Sequence, residues 1–278
     1  MHPMKSYSIL FSLQLSADYG LAFQYLSSSA SISKLLTRED AQNAISQLYP
    51  AKQFDQRMNL GRDAQGLTDD DAVHGKDPRL AFTYAEFPLE SFDTLIDAGL
   101  LVMGDREPSA KTTRLVDLGS GCARLVLYAA LSRGWDVQGI EIGRELHDKA
   151  LTVLEKGIDC GYFEDGIDAD SDEQDIEGAT LLFGPAKAYP NILGSADIVF
   201  AYSTVFPAAE QFNVDLGALV LRPEWSQMLA SECQEGCVAI TTDRALDPQF
   251  GWELIDRMDI ENPEVFGSTG YIHILRKR

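Results

Sequence analysis

The chain is short of positive charge: 23 lysines and arginines face 43 aspartates and glutamates across 278 residues, a formal net charge of −20. That field repels nucleic acid unless basic residues cluster, and the cluster visible is the run Arg276-Lys277-Arg278. Basic proteins, peptides or amines are the partners such a surface attracts. Long apolar runs are also missing. None approaches the ~20 residues that a membrane-spanning helix needs, so no membrane association is expected. Four cysteines, at 122, 160, 233 and 237, form no C-x-x-C pair and have no histidine at zinc-ligand spacing. No metal site is expected. Reduced, mostly buried thiols fit an intracellular protein, cytoplasmic or nuclear.

What is present is ordinary for a globular chain: 45% hydrophobic and 24% charged residues. The length suits one large domain with an N-terminal extension. Residues 1–80 read as that extension. Within 1–33, Lys5 precedes the apolar stretch Ile9-Leu10-Phe11 and a serine-rich run, a pattern shared by cleaved targeting segments and by a packed strand or helix. Thr37 can cap a helix near 38–49 whose apolar stripe is Ala41, Ile45 and Leu48. Residues 51–79 are rich in Gly, Asp and Gln and read as a linker, with Asp69-Asp70-Asp71 a solvated acidic stretch.

From residue 81 to 278 the pattern becomes regular. Leu89–Leu101 reads as an amphipathic helix, with Phe92, Leu95 and Ile96 on one side. Seven candidate strands follow, at 114–118, 137–142, 179–183, 197–202, 237–242, 252–259 and 271–275. Helices are expected over 123–132, over 144–156 with Gly157 closing it, and from Pro223. This alternation predicts an α/β fold: a Rossmann-like, mostly parallel seven-stranded sheet with helices on both faces, plus a helical N-terminal extension. Residues 164–177 interrupt it with alternating acids. Counted from Asp168 as a calcium loop, Glu173 stands where glycine is required and Ala179 where the last ligand is, so the segment reads as a disordered acidic insertion.

The segment that carries chemistry is Val116-Asp117-Leu118-Gly119-Ser120-Gly121-Cys122-Ala123-Arg124. A buried strand enters two glycines one residue apart and then a helix. Glycine permits a tight turn and close approach of a ligand to the main chain, and the helix start adds unpaired N–H groups. Arg124 stands where a dinucleotide fingerprint has its third glycine, which weakens an NAD or FAD reading. Glu141 ends the next strand, 24 positions after Asp117, where a carboxylate can accept from both hydroxyls of a ribose.

These residues resemble the class I S-adenosylmethionine-dependent methyltransferases. The resemblance implies S-adenosyl-L-methionine as cofactor, held by Asp117, Gly119, Ser120 and Gly121 at its methionine part and by Glu141 at its ribose. Gly270–Arg278 looks like that family's closing antiparallel strand. Thr83-Tyr84-Ala85-Glu86, Asp117–Gly121 and Gly139-Ile140-Glu141 look more narrowly like the disruptor-of-telomeric-silencing family, non-SET histone-lysine methyltransferases. By that likeness Tyr84 and Glu86 contact the cofactor, and a protein lysine is the methyl acceptor. The sequence departs from the pattern at Ala85, at Arg124, in the loop Ala201–Pro207, and after the third strand, where Gly184-Pro185-Ala186 supplies no acid. Tyr202, Ser203 and Phe206 are the candidate substrate-channel residues, with Tyr271 as a further aromatic wall. A small-molecule methyltransferase and a non-catalytic cofactor-binding scaffold are the alternatives.

Overall fold

Residues 27–54, 56–57, 84–104, 113–165, 178–206, 208–263 and 267–277 are described in a computed structural model. The stretch 1–26, most of the expected linker 51–79, Thr83, Pro207 and residues 166–177 of the expected acidic insertion lie outside them. The first half of the chain supplies β1 (Ser27–Ile32), α1 (Arg38–Leu48), α2 (Leu89–Met103), β2 (Arg114–Leu118), α3 (Arg124–Arg133), β3 (Asp136–Glu141) and α4 (Arg144–Asp159). Then come β4 (Phe163–Asp165), β5 (Gly178–Phe183), α5 (Pro190–Ser195), β6 (Ile198–Ala201), β7 (Ala208–Asn213) and β8 (Ala218–Leu221). The chain continues through α6 (Pro223–Glu232), β9 (Val238–Thr242), β10 (Trp252–Ile260) and β11 (Ser268–Leu275).

Period-two alternation divides the core. In β2, Leu115 joins one apolar cluster with Val137, Ile198, Phe200 and Ile240, which α1 to α4 cover. Val116 and Leu118 face the other way and pack with Val199, Ala201 and Ala239 against Leu193 of α5 and Leu229 of α6. Both faces are covered, as the continuous apolar runs of β2 and β6 require. Strands β5, β3, β2, β6 and β9 are parallel neighbours in that order, with β2 in the centre. Helix α3 is buried from Leu125 to Leu131, because α1 and α2 cover the surface that the sheet leaves.

Among the described residues the sheet has nine strands, not seven. The two additions lie at one edge: β1 pairs antiparallel with β5, and β4 antiparallel with β1. The described part of the N-terminal extension therefore supplies a strand as well as the expected helix. No apolar alternation announces β1, since only Ala30 in it is buried. Backbone pairing holds it, helped by a hydroxyl contact of 3.0 Å between Ser29 and Thr180. Gly178 makes that pairing possible, because a Cβ there would lie 2.3 Å from the Ala30 carbonyl oxygen. Glu164 and Asp165, expected to open the acidic insertion, pair with Ser31 and Ala30 in β4.

Helix α1 begins as expected: Asp40 N–H donates to the Thr37 hydroxyl at 3.1 Å. Gly157 does not close α4, which runs to Asp159. The Phe163 ring packs where its Cβ would be, at 2.9 Å, so this glycine serves packing. The expected closing strand is β11, antiparallel between β9 and β10. The two-stranded β7–β8 hairpin was not expected. Its signal is the turn Asn213-Val214-Asp215-Leu216-Gly217, where Gly217 takes φ +61° and Leu216 N–H donates to the Asn213 side chain at 3.0 Å.

Candidate functional site

At the C-terminal end of β2 the chain turns through Gly119 at φ +72° and Gly121 at φ +56°, backbone that L side chains rarely adopt. The N–H groups of Gly119 and Ser120 both donate to the Ile140 carbonyl, at 2.9 and 3.2 Å, and fold the loop across the end of β3. Gly139 makes room for it, since a Cβ there would meet the Ser120 hydroxyl at 2.8 Å. Ala123 then takes a left-handed conformation, φ +63°, and α3 starts without a side-chain cap.

Two buried carboxylates frame this loop. Glu141, at the end of β3, accepts from Gly121 N–H at 2.7 Å and from Gly143 N–H at 2.6 Å. Burial raises its carboxyl pKa, and the amides of Gly143, Gly121 and Ile142 act against that rise. Asp117 is 4% exposed, and no hydrogen bond among the described residues reaches its carboxylate. Burial first, and then the charge of Glu141, push its pKa up to about 7. The loop thus brings Asp117, Gly119, Ser120, Gly121 and Glu141 together.

Tyr84 belongs to the same place. A Cβ on Gly121 would lie 2.6 Å from the Tyr84 ring, so that ring covers the glycine directly. Glu86 is committed elsewhere: it is clasped by Arg57, lies 3.9 Å from Arg124, and accepts from the Tyr84 hydroxyl at 3.0 Å. Glu86 therefore meets the loop through Tyr84, whose ring covers Gly121.

The loop after β6 holds the other candidates. Tyr202 is buried against Phe87, ring centroids 5.0 Å apart, and its hydroxyl accepts from the Asn262 amide at 2.8 Å. Ser203 is fully buried: its hydroxyl donates to the Thr242 carbonyl at 2.6 Å and accepts from Thr242 N–H at 3.0 Å. That side chain ties the loop to β9. Phe206 stacks on Trp225 at 4.8 Å, and its ring edge would lie 3.3 Å from a Cβ on Gly119. Phe206 therefore reaches the glycine loop, while Tyr202 lines the buried side. Tyr271 does not join them. It packs with Ala218, Val220 and Ala245 under the β7–β8 hairpin.

Sequence reasoning missed Arg57, Phe87, Trp225 and Asn262. Phe87 had a signal, an apolar residue directly after Tyr84-Ala85-Glu86. Asn262 had none, because it meets Tyr202 across 60 residues of chain.

No family model and no curated protein matches the sequence. Solved structures with a similar course include an RNA methyltransferase from Salinibacter ruber in complex with S-adenosyl-L-homocysteine, 18% identical, covering 70% of this chain and 96% of that one, TM-score 0.41. A magnesium protoporphyrin IX methyltransferase from Synechocystis PCC 6803 with the same molecule bound is 11% identical, covering 84% and 100%, TM-score 0.42. Fibrillarin from Aeropyrum pernix with natively bound S-adenosyl-L-methionine is 14% identical, covering 64% and 74%, TM-score 0.38.

Proposed function

We propose that this chain binds S-adenosyl-L-methionine and transfers its methyl group. The observation that carries the reading is the pair of buried carboxylates, Asp117 and Glu141, flanking a loop of glycine amides. A buried acid without a hydrogen-bond partner is costly unless a ligand supplies a cation or donors. An amino acid sulfonium joined to a ribose offers an ammonium and a sulfonium charge for Asp117 and two hydroxyls for Glu141. A dinucleotide would bring its negative pyrophosphate against the same acids, so the NAD or FAD reading is disfavoured.

The bound cofactor would supply an electrophilic methyl group, and no side-chain nucleophile is needed. The task of this chain is to position two reactants and exclude water. Tyr84 over Gly121 and Phe206 against Gly119 close the loop from two sides. The Ser203 and Tyr202 hydroxyls are occupied in holding the acceptor loop, so they act by placing it rather than by moving protons.

The acceptor we favour is an amine on a basic polypeptide, a lysine as the narrower sequence resemblance implies. A net charge of −20 attracts such chains, and the aromatic surfaces of Phe206 and Trp225 would favour a neutral, desolvated amine.

Calorimetry with S-adenosyl-L-methionine, followed by methyl transfer to free basic proteins, RNA and a metabolite panel, tests both levels. Glu141→Ala should weaken cofactor binding at least about tenfold, since it removes charge-assisted hydrogen bonds of roughly 1.5–3 kcal/mol each. Unchanged affinity in a folded variant would remove Glu141 from the site. Transfer to polypeptide should fall as salt rises. Transfer to a metabolite alone, indifferent to salt, would replace the polypeptide acceptor by a small molecule.

A further inference from the structure

Arg57 belongs to no sequence motif, yet it is 2% exposed. Its guanidinium lies 5.7 Å from the Tyr49 ring centroid and 5.9 Å from that of Phe54. One amino group donates to the Pro50 carbonyl at 3.2 Å, and Nε with the other amino group clasps both oxygens of Glu86. Glu86 accepts from the Tyr84 hydroxyl, the Tyr84 ring covers Gly121, and Gly121 N–H donates to Glu141. A second tie from the same N-terminal turn runs parallel, since the Tyr49 hydroxyl donates to the Cys122 carbonyl within the loop. These contacts form a continuous chain from residues 49–57 to the ribose-side carboxylate.

From this chain of contacts we propose that Arg57 is a positioning residue for the cofactor: through Glu86 it fixes the Tyr84 ring over Gly121 and so sets the floor of the methionine subsite. The proposal rests on reading the site as one for S-adenosyl-L-methionine. Without the fork, Glu86 keeps the Tyr84 hydroxyl at 3.0 Å and Arg124 at 3.9 Å, the latter beyond hydrogen-bond reach, and loses the two-point grip that fixes its rotamer. The Tyr84 hydroxyl is then tied to a carboxylate that can shift, and the ring over Gly121 loses its fixed anchor. A lysine cannot substitute, because a point charge cannot grip both carboxylate oxygens in one plane. The N-terminal segment is, on this account, part of the binding site.

Cofactor affinity of the full chain, measured by calorimetry for Arg57→Met, Tyr84→Phe and the double variant, tests this. Arg57→Met should weaken binding about tenfold, and adding Tyr84→Phe should cost little more, because residues acting in series are not additive. Arg57→Lys should recover only part of the affinity. Arg57→Met leaves Glu86 a poorly partnered, largely buried acid, so Arg57→Met with Glu86→Gln is the second probe. It should restore the melting temperature while affinity stays low. Additive losses, unchanged affinity in Arg57→Met, or affinity restored together with stability in the Glu86→Gln background would each overturn the assignment. Absence of binding by the unaltered chain overturns the cofactor reading itself, a result distinct from any of these.

Discussion

The ends of β2 and β3 and the loop after β6 lie side by side and treat their polar groups in opposite ways. On the first side, Asp117 is buried with no hydrogen-bond partner among the described residues, and the buried Glu141 accepts from two backbone amides. On the second, Ser203 bridges both backbone groups of Thr242, Tyr202 accepts from Asn262, and the Thr204 hydroxyl contacts Thr242 and Asp243. One region keeps a buried carboxyl with no partner among the described residues. The other consumes its polarity internally and presents Phe206 and Trp225, as a surface that selects by shape and desolvation does.

The largest break in this contrast should come from Gly121→Ala. The new Cβ would sit 2.6 Å from the Tyr84 ring at a backbone angle of φ +56°. Left-handed strain and overpacking together should cost roughly 2–5 kcal/mol. Urea denaturation should register that loss, and calorimetry should find no cofactor binding. A variant as stable as the parent would mean the Tyr84 ring is not held on the loop.

Asp117 sharpens the contrast through pH. Burial, and then the charge of Glu141, push its carboxyl pKa up to about 7 from an ordinary value of 3.8. The fold thus favours the protonated form, and this contribution is present in full below about pH 4 and lost as pH rises through 7. Relative to Asp117→Asn, the ligand-free chain should lose up to roughly 4 kcal/mol between pH 4 and 8. Cofactor affinity should move the other way, rising from pH 6 to 8 as the acid ionises toward the cationic ligand, with no rise in Asp117→Asn. Parallel stability curves for the two proteins would sink the idea that Asp117 is kept neutral by burial.

The smallest effect lies on the acceptor side. Ser203→Ala strands the Thr242 N–H and carbonyl, so roughly 1–3 kcal/mol of stability should be lost. Cofactor affinity should remain within twofold, because the hydroxyl faces β9. A tenfold loss of affinity with unchanged melting temperature would instead place Ser203 in the cofactor site.

What the sequence made legible follows the same division. The glycine loop and its two acids are contiguous or one strand apart, so local pattern reveals them. Strands β2, β5, β6 and β9 were readable because burial on both faces demands runs rich in apolar residues, and β3 from its place between two helices. Strand β1 was unreadable for the opposite reason: its serines are held by ladder bonds that leave no trace in hydropathy. The Arg57–Glu86 and Asn262–Tyr202 pairs escaped because contacts across 29 and 60 residues have no local signature. Tyr271 was placed on the acceptor wall from its residue type alone. Its strand register, opposite Thr241, carries it to the hairpin instead.

Strand β11 has a consequence for how this molecule is assembled. It slots between β9 and β10, two strands made earlier that do not touch each other as neighbours in the sheet. While the chain is being synthesised, each of them offers a bare row of amides and carbonyls, and a premature β9–β10 pairing would have to be undone before the last strand could enter. The fit is close: Gly270 admits the Leu95 side chain into the space its own Cβ would fill, and His273 is buried whole, its Nε2 accepting from Leu246 N–H at 3.2 Å. The contacts of α2 with β11 thus wait on the final strand, and completion of that side of the molecule is a late, long-range step in folding, the stage at which exposed strand edges invite aggregation.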